Sequence, residues 1–170
     1  LTCGDATFQI MGRDGSTYPD MPEIQGHTAF AITKKQFKNL INKTFFSISK
    51  DDSNPLLKGA LFEIKDNTLT VTAIDGFRFA VRKEKSAVDC PDVSLSFILP
   101  GKAEQNLLRI MDDSDSEIAF ELGNKHIIVH MDNLYIMIRL IDGEFPRYER
   151  YVPEYLLKAE VDRDALILCL

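Results

Sequence analysis

The chain has 170 residues, 45% of them hydrophobic, enough for one well-filled core with pieces of neighbouring units beside it. Its longest apolar runs fall far short of the roughly 20 residues that a bilayer-crossing helix needs, and no charged-then-apolar leader opens it, so a soluble protein is expected, and its cysteine usage fits a reducing, cytoplasmic setting. Three scattered cysteines, Cys3, Cys90 and Cys169, suit neither a zinc site nor a disulfide scaffold, and a formal charge of -6 speaks, over the chain as a whole, against a partner covered in phosphates.

At the start, Phe8-Gln-Ile10 alternates like a strand and Thr17 to Pro22 reads as a loop with two prolines. Residues 1–25 are expected to be the tail of a preceding domain, with an N-terminal arm of the same domain as the alternative. Phe30 to Thr33 then predicts a short strand, and Thr33 can cap a helix whose apolar stripe is Phe37, Leu40, Ile41, Thr44 and Phe45. Three strands are predicted after it, Gly59 to Lys65, Thr68 to Ile74 and Phe77 to Lys83, joined by the turns Asp66-Asn67 and Asp75-Gly76.

The same order then recurs. Ser96 to Leu99 predicts a strand, Pro100-Gly101 opens a helix carrying Leu107, Leu108 and Met111, and Glu117 to Leu122, His126 to Met131 and Leu134 to Leu140 predict three strands. Without gaps, Ala31 to Ile41 lies over Ile98 to Leu108, so Thr33 meets Pro100 and Asn39 meets Asn106. A third copy opens at Glu160, with Asp162 in the capping place and Leu166, Cys169 and Leu170 on the stripe. It stops after two turns, so the whole protein is expected to be longer. Each helix must lay its stripe on a sheet, which predicts an α+β fold: a duplicated strand-helix-three-strand unit with two antiparallel sheets and two helices on one side.

The helices carry charge that the total conceals. Opposite the first stripe lie Lys35, Lys38, Asn39 and Asn42, with Lys43 at the margin, and no acid occurs between Gly26 and Lys50. On the second helix the matching face holds Lys102, Gln105, Asn106 and Arg109, with Glu104 on the other side. Two basic faces on an acidic chain point to phosphate contact, against the plainer reading of lysines that are simply solvated.

Catalytic constellations are sparse. His126 and His130, four apart in a strand, have α-carbons about 13 Å apart and cannot share one ordinary metal ion. Asp112, Asp113, Asp115 and Glu117 crowd a loop but lack the ligand spacing and glycine of a calcium loop. A metal-dependent nucleic-acid enzyme built on that loop, and a plain interaction module, are the competing readings.

Three segments carry a resemblance: Asn54 to Phe62, Ala73-Ile-Asp-Gly-Phe-Arg-Phe-Ala80, and Ile141-Asp-Gly-Glu-Phe-Pro-Arg-Tyr-Glu-Arg-Tyr-Val-Pro153. In order and spacing they resemble the middle domain of the bacterial sliding clamp, the beta subunit of DNA polymerase III. The resemblance implies a DNA-clamp fold, with residues 1–25 ending one clamp domain, 26–153 forming the middle one and 154–170 starting a third. It implies subunits of three such domains, paired as a homodimer ring around duplex DNA, with Lys35, Lys38, Asn39, Lys43, Lys102 and Arg109 facing the DNA. This piece alone is expected to be a monomer. Neither a cofactor nor catalysis is implied.

The implied partners, besides duplex DNA, are the polymerase III alpha subunit, clamp-loader subunits and other proteins bearing a clamp-binding motif. Their pocket would be lined by Leu57, Ile74, Gly76, Phe77, Arg78, Phe79, Pro146, Arg150 and Tyr151. Physics supports the turn, because Phe77 beside Asp75-Gly76 places an apolar ring where a polar tip is expected, against the plainer reading that Ile74, Phe79 and Tyr151 are core residues and the arginines pair with local acids. The sequence departs from the family's pattern at Phe77, bulkier than the histidine often found there, and at Tyr151, which replaces a smaller branched residue. Pro55 and Leu56 stand where some members present aromatic residues near the DNA.

Overall fold

The computed structural model describes residues 1–18, 28–85, 94–152, 154 and 156–170, with only the backbone of Tyr151; Cys90 and Pro19 to Pro22 lie outside the described residues. The N-terminal segment makes a two-residue hairpin, β1 (Thr2–Cys3) against β2 (Ala6–Thr7), turning at Gly4. The strand expected at Phe8 to Ile10 does not form. Phe8 exchanges backbone hydrogen bonds with Leu1, but the pairing goes no further, and Phe8 and Ile10 are exposed with no apolar face to cover them.

Strand β3 (Thr28–Thr33) leads into α1 (Lys34–Asn42). A nine-residue helix is too short to stand on propensity, so its ends and its packing face matter. Thr33 Oγ1 accepts from the Gln36 N–H at 3.2 Å, and Gln36 Oε1 accepts from the Thr33 N–H at 3.4 Å, a reciprocal cap that contributes about 1 kcal/mol. At the other end Thr44 Oγ1 donates to the Leu40 carbonyl at 2.9 Å, which explains its place on the buried stripe. After α1 come β4 (Gly59–Lys65), β5 (Thr68–Ile74) and β6 (Phe79–Lys85).

Asp66 and Asn67, at φ 50° and 56°, make the tight turn between β4 and β5 as their residue types predict. The third strand, however, begins at Phe79 and not at Phe77. The Asp75 carboxylate accepts from the N–H groups of Phe77 and Arg78, and Gly76 at φ 92° lets the chain turn there, so two residues are spent on the turn.

The second unit runs β7 (Leu95–Pro100), α2 (Gly101–Ile110), β8 (Glu117–Leu122), β9 (His126–Met131) and β10 (Leu134–Arg139). Strand β10 ends at Arg139, and the N–H of the expected last residue, Leu140, still donates to the Lys125 carbonyl in register with the β9–β10 pairing. The final helix α3 (Arg163–Cys169) starts at Asp162, whose carboxylate accepts from the Ala165 N–H at 2.8 Å, and its apolar stripe is exposed.

The units exchange their first strands. One sheet has the order β10-β9-β8-β3 and the other β6-β5-β4-β7, all antiparallel, so each four-stranded sheet takes its edge strand from the other unit. The core records the duplication: Phe30 on β3 stacks on Phe120 of β8 at 4.8 Å, and Phe97 on β7 stacks on Phe62 of β4 at 5.3 Å. Phe37, Leu40 and Ile41 of α1 and Leu107 of α2 enter the same core, which sets the helices side by side over the sheets. At the seam, Ile141 bridges to Ile98 of β7, carrying the chain after β10 across to the other sheet.

Candidate partner pocket and helix faces

The strands of the β6-β5-β4-β7 sheet are apolar on both faces near their ends. One face supplies the main core through Ala60, Phe62, Leu69, Val71, Ala73, Phe97 and Leu99. The residues of opposite parity, Leu61, Ile74 and Ile98, point to the outer face, where alternation would call for polar side chains. They are covered by the segment after β10: Ile74, Ile98 and Phe145 form a second buried cluster, with Leu56, Leu57, Leu61, Ile141 and Tyr148 packed around it. Gly59 makes this possible, because a Cβ there would lie 2.9 Å from Ile141 Cδ1 and 2.3 Å from the Leu99 carbonyl oxygen.

The structure places the predicted pocket residues in more than one setting. Leu57 and Ile74 belong to the outer cluster; Phe79 pairs with Ile74 across the strands, and its ring centroid lies 5.9 Å from that of Tyr148. Phe77 is 101% exposed at the turn beyond Gly76, and Phe79 is 38% exposed. Arg78 is exposed, its Nε donating to Asp75 Oδ2 at 2.8 Å. Pro146 and Arg150 instead line a cleft of about 1010 Å³ between Leu61, Ile98 and the β8–β9 turn, whose lining includes none of Leu57, Ile74, Gly76, Phe77, Arg78 and Phe79. Tyr151 is placed in the 3-10 turn Tyr148–Tyr151, by its backbone alone.

The sequence reading missed Leu61, Ile98, Phe145 and Tyr148, the floor and inner wall of this site. A signal was present: Phe97-Ile-Leu99 is apolar at three consecutive strand positions, which requires cover on both faces. Burial raises the Tyr148 phenol above its ordinary range, with the charges of Glu149 and Glu63 adding to the effect.

The helix faces are only partly free. Asn39, Lys43, Lys102 and Arg109 are exposed, whereas Lys38 Nζ lies 2.5 Å from Asp113 and also donates to the Met111 carbonyl. Lys35 Nζ lies 3.8 Å from Asp115. The stretch around α1 lacks acids in sequence, but the fold brings the acidic loop to it, so this face is not free of carboxylate. Lys34, outside the predicted set, is buried and donates to Asp132 at 2.8 Å with Asp112 3.4 Å away; the Asp132 hydrogen bond, above all, raises its pKa. Three of the four acids of that loop, Asp112, Asp113 and Asp115, thus lie against the lysines of α1, and among the described residues no group of His, Cys, Asp and Glu is arranged to hold a metal ion. His130 Nε2 instead lies 2.9 Å from Glu121 across the strands, with Tyr135 edge-on to its ring.

A duplicated α+β unit with exchanged edge strands and both helices over one side of the sheets defines the clamp-fold class of domains. The chain belongs to the DNA polymerase III beta subunit family, whose central-domain family model matches residues 31–147. The beta sliding clamp of Staphylococcus epidermidis is 34% identical over 154 residues, covering 91% of this chain and 40% of that protein. The beta sliding clamp of Bacillus subtilis is 32% identical over 155 residues, with the same coverage.

Among solved structures, the DNA polymerase sliding clamp from Bacillus subtilis superimposes with a TM-score of 0.82 at 31% identity, over 89% of this chain and 40% of that one. A putative DNA polymerase III beta subunit from Eubacterium rectale gives 0.78 at 29%, over 88% and 40%. The chain therefore spans about two fifths of the length of the relatives it matches.

Proposed function

We propose that the protein containing this chain is a processivity factor of DNA replication, a non-catalytic subunit of the polymerase III holoenzyme. As a homodimeric ring it encircles duplex DNA without sequence preference. Through the outer-face pocket it tethers the polymerase alpha subunit, clamp-loader subunits and other proteins with a short hydrophobic motif. Residues 1–25, 26–153 and 154–170 are then the end of one clamp domain, the whole middle domain and the start of the third, and the chain alone is a monomer at micromolar concentration. Lys35, Lys38, Asn39, Lys43, Lys102 and Arg109 contact the phosphates, which position DNA but carry no base information, so a ring can hold the duplex and still slide.

The observation that carries the pocket is the outer cluster of Ile74, Ile98 and Phe145 with Phe77 and Phe79 exposed beside it. An apolar floor with exposed rings at its edge suits a short linear segment, and Arg78 and Arg150 can donate to its carbonyls or to an acidic group. Binding of a glutamine-led hydrophobic peptide, followed by fluorescence anisotropy, is expected in the range of hundreds of micromolar, about 5 kcal/mol. Phe77→Asp is expected to weaken it about fivefold or more without changing the melting temperature, because Phe77 is fully exposed. Unchanged affinity in that variant removes the turn from the pocket.

A further inference from the structure

Arg78 is held from two sides by residues outside the predicted pocket. The Asp75 carboxylate takes three donors: Oδ1 accepts from the Phe77 and Arg78 N–H groups at 3.0 Å each, and Oδ2 accepts from Arg78 Nε at 2.8 Å. On the other side the guanidinium carbon lies 5.8 Å from the centroid of the Phe46 ring, within the distance at which a ring face attracts a cation.

Phe46 arrives from the 3-10 turn Phe45–Ser47 behind α1, far from Arg78 in sequence. Its neighbours turn inward, Phe45 against the core and Ser47 fully buried, while Phe46 remains 56% exposed with Arg78 as its described ring partner. Of the guanidinium nitrogens, only Nε is engaged among the described residues, which leaves the two Nη groups able to donate.

We infer that Phe46 and Asp75 are positioning residues for the partner pocket. They order Arg78 so that its Nη edge meets a carboxylate or carbonyl oxygen of the segment lying over Ile74 and Phe79. The inference rests on the pocket reading above. A guanidinium already confined gives up less freedom when a partner arrives, so the effect is on affinity and not on the fold.

The test is peptide affinity for the chain and for Phe46→Leu, Arg78→Ala and their double variant, with the Arg78 Nε–H resonance as a readout that needs no peptide. Phe46→Leu is expected to weaken binding about threefold, the scale of one exposed cation–ring contact, and to add nothing in the Arg78→Ala background. Phe46→Tyr, which keeps the ring face, is expected to bind like the parent. The Nε–H signal should be sharp in the parent and broadened by exchange in Phe46→Leu. Equal losses in both backgrounds, or an Nε–H signal indifferent to Phe46, overturn the inference while leaving the pocket intact. A parent chain that binds no peptide at millimolar concentration, with an Nε–H that still answers to Phe46, refutes the pocket and with it any positioning role there.

Discussion

Glu104 is the residue at which the two halves part company. The gapless overlay of the repeats sets it against Phe37, and both side chains are buried, one a ring between Phe62 and Phe120 and the other a carboxyl. Neither carboxyl oxygen reaches a described donor in hydrogen-bonding geometry. Burial pushes its pKa up to about 8, with the Ala60 N–H near enough to act in the lowering direction but outside hydrogen-bonding geometry. The folded state therefore keeps a proton that the unfolded chain releases near its ordinary value of 4.5. The Glu104 contribution to stability is fullest below that value, declines as pH rises towards 8, and then levels off.

We expect the unfolding free energy, measured in urea, to fall by roughly 1 kcal/mol per pH unit across this window. Glu104→Leu should remove the slope and raise stability at pH 8 by about 3 kcal/mol. A slope that survives the substitution places the proton elsewhere. At the acid end Asp51, Asp75 and Asp112, each held below the ordinary carboxylate range chiefly by hydrogen bonds from neighbours in their turns, act in the opposite sense: their contribution is lost as pH falls through their lowered values. The helical period turned Glu104 away from the solvent face, but a period cannot say what lies on the inward side.

At the scale of elements, α1 and the loop after α2 form one electrostatic unit. Lys34 is the buried anchor, while the pairs of Lys35 with Asp115 and Lys38 with Asp113 are exposed on their acidic side and worth little to stability. Their effect is on charge. Asp113→Asn with Asp115→Asn should strengthen low-salt duplex binding about fivefold, with a steeper salt dependence and a melting temperature within a few degrees of the parent. No change in DNA affinity would mean that this helix face does not meet phosphates.

Element boundaries were legible where one residue type decides a turn: Asp66 and Asn67 end β4 and begin β5 at the predicted positions, and Asp132 does the same between β9 and β10. They were not legible where a side chain captures the chain, as the Asp75 carboxylate does before β6. The exchange of β3 and β7 between the sheets was out of reach altogether, because either pairing satisfies the same alternation.

For the molecule as a whole, the duplication, the two sheets and the helix layer were readable from period and turn chemistry, and the pocket residues came through the resemblance to the clamp family. What remained hidden was tertiary: the outer cluster under Phe145 and Tyr148, and acids reaching α1 from more than seventy residues away. The two proposed functions fall on separate surfaces, a partner pocket on the outer sheet face and phosphate contacts on the helices.

One amide NMR experiment on the labelled chain addresses both. A glutamine-led hydrophobic peptide should shift Gly76, Phe79 and Arg150 while leaving Lys35 to Asn42 and Lys102 to Arg109 in place. Duplex DNA at low salt should do the reverse and lose its effect near physiological salt, since each phosphate contact changes the logarithm of affinity by about 0.9 per decade of salt. Peptide shifts confined to the two helices, or none at millimolar peptide, would contradict the account.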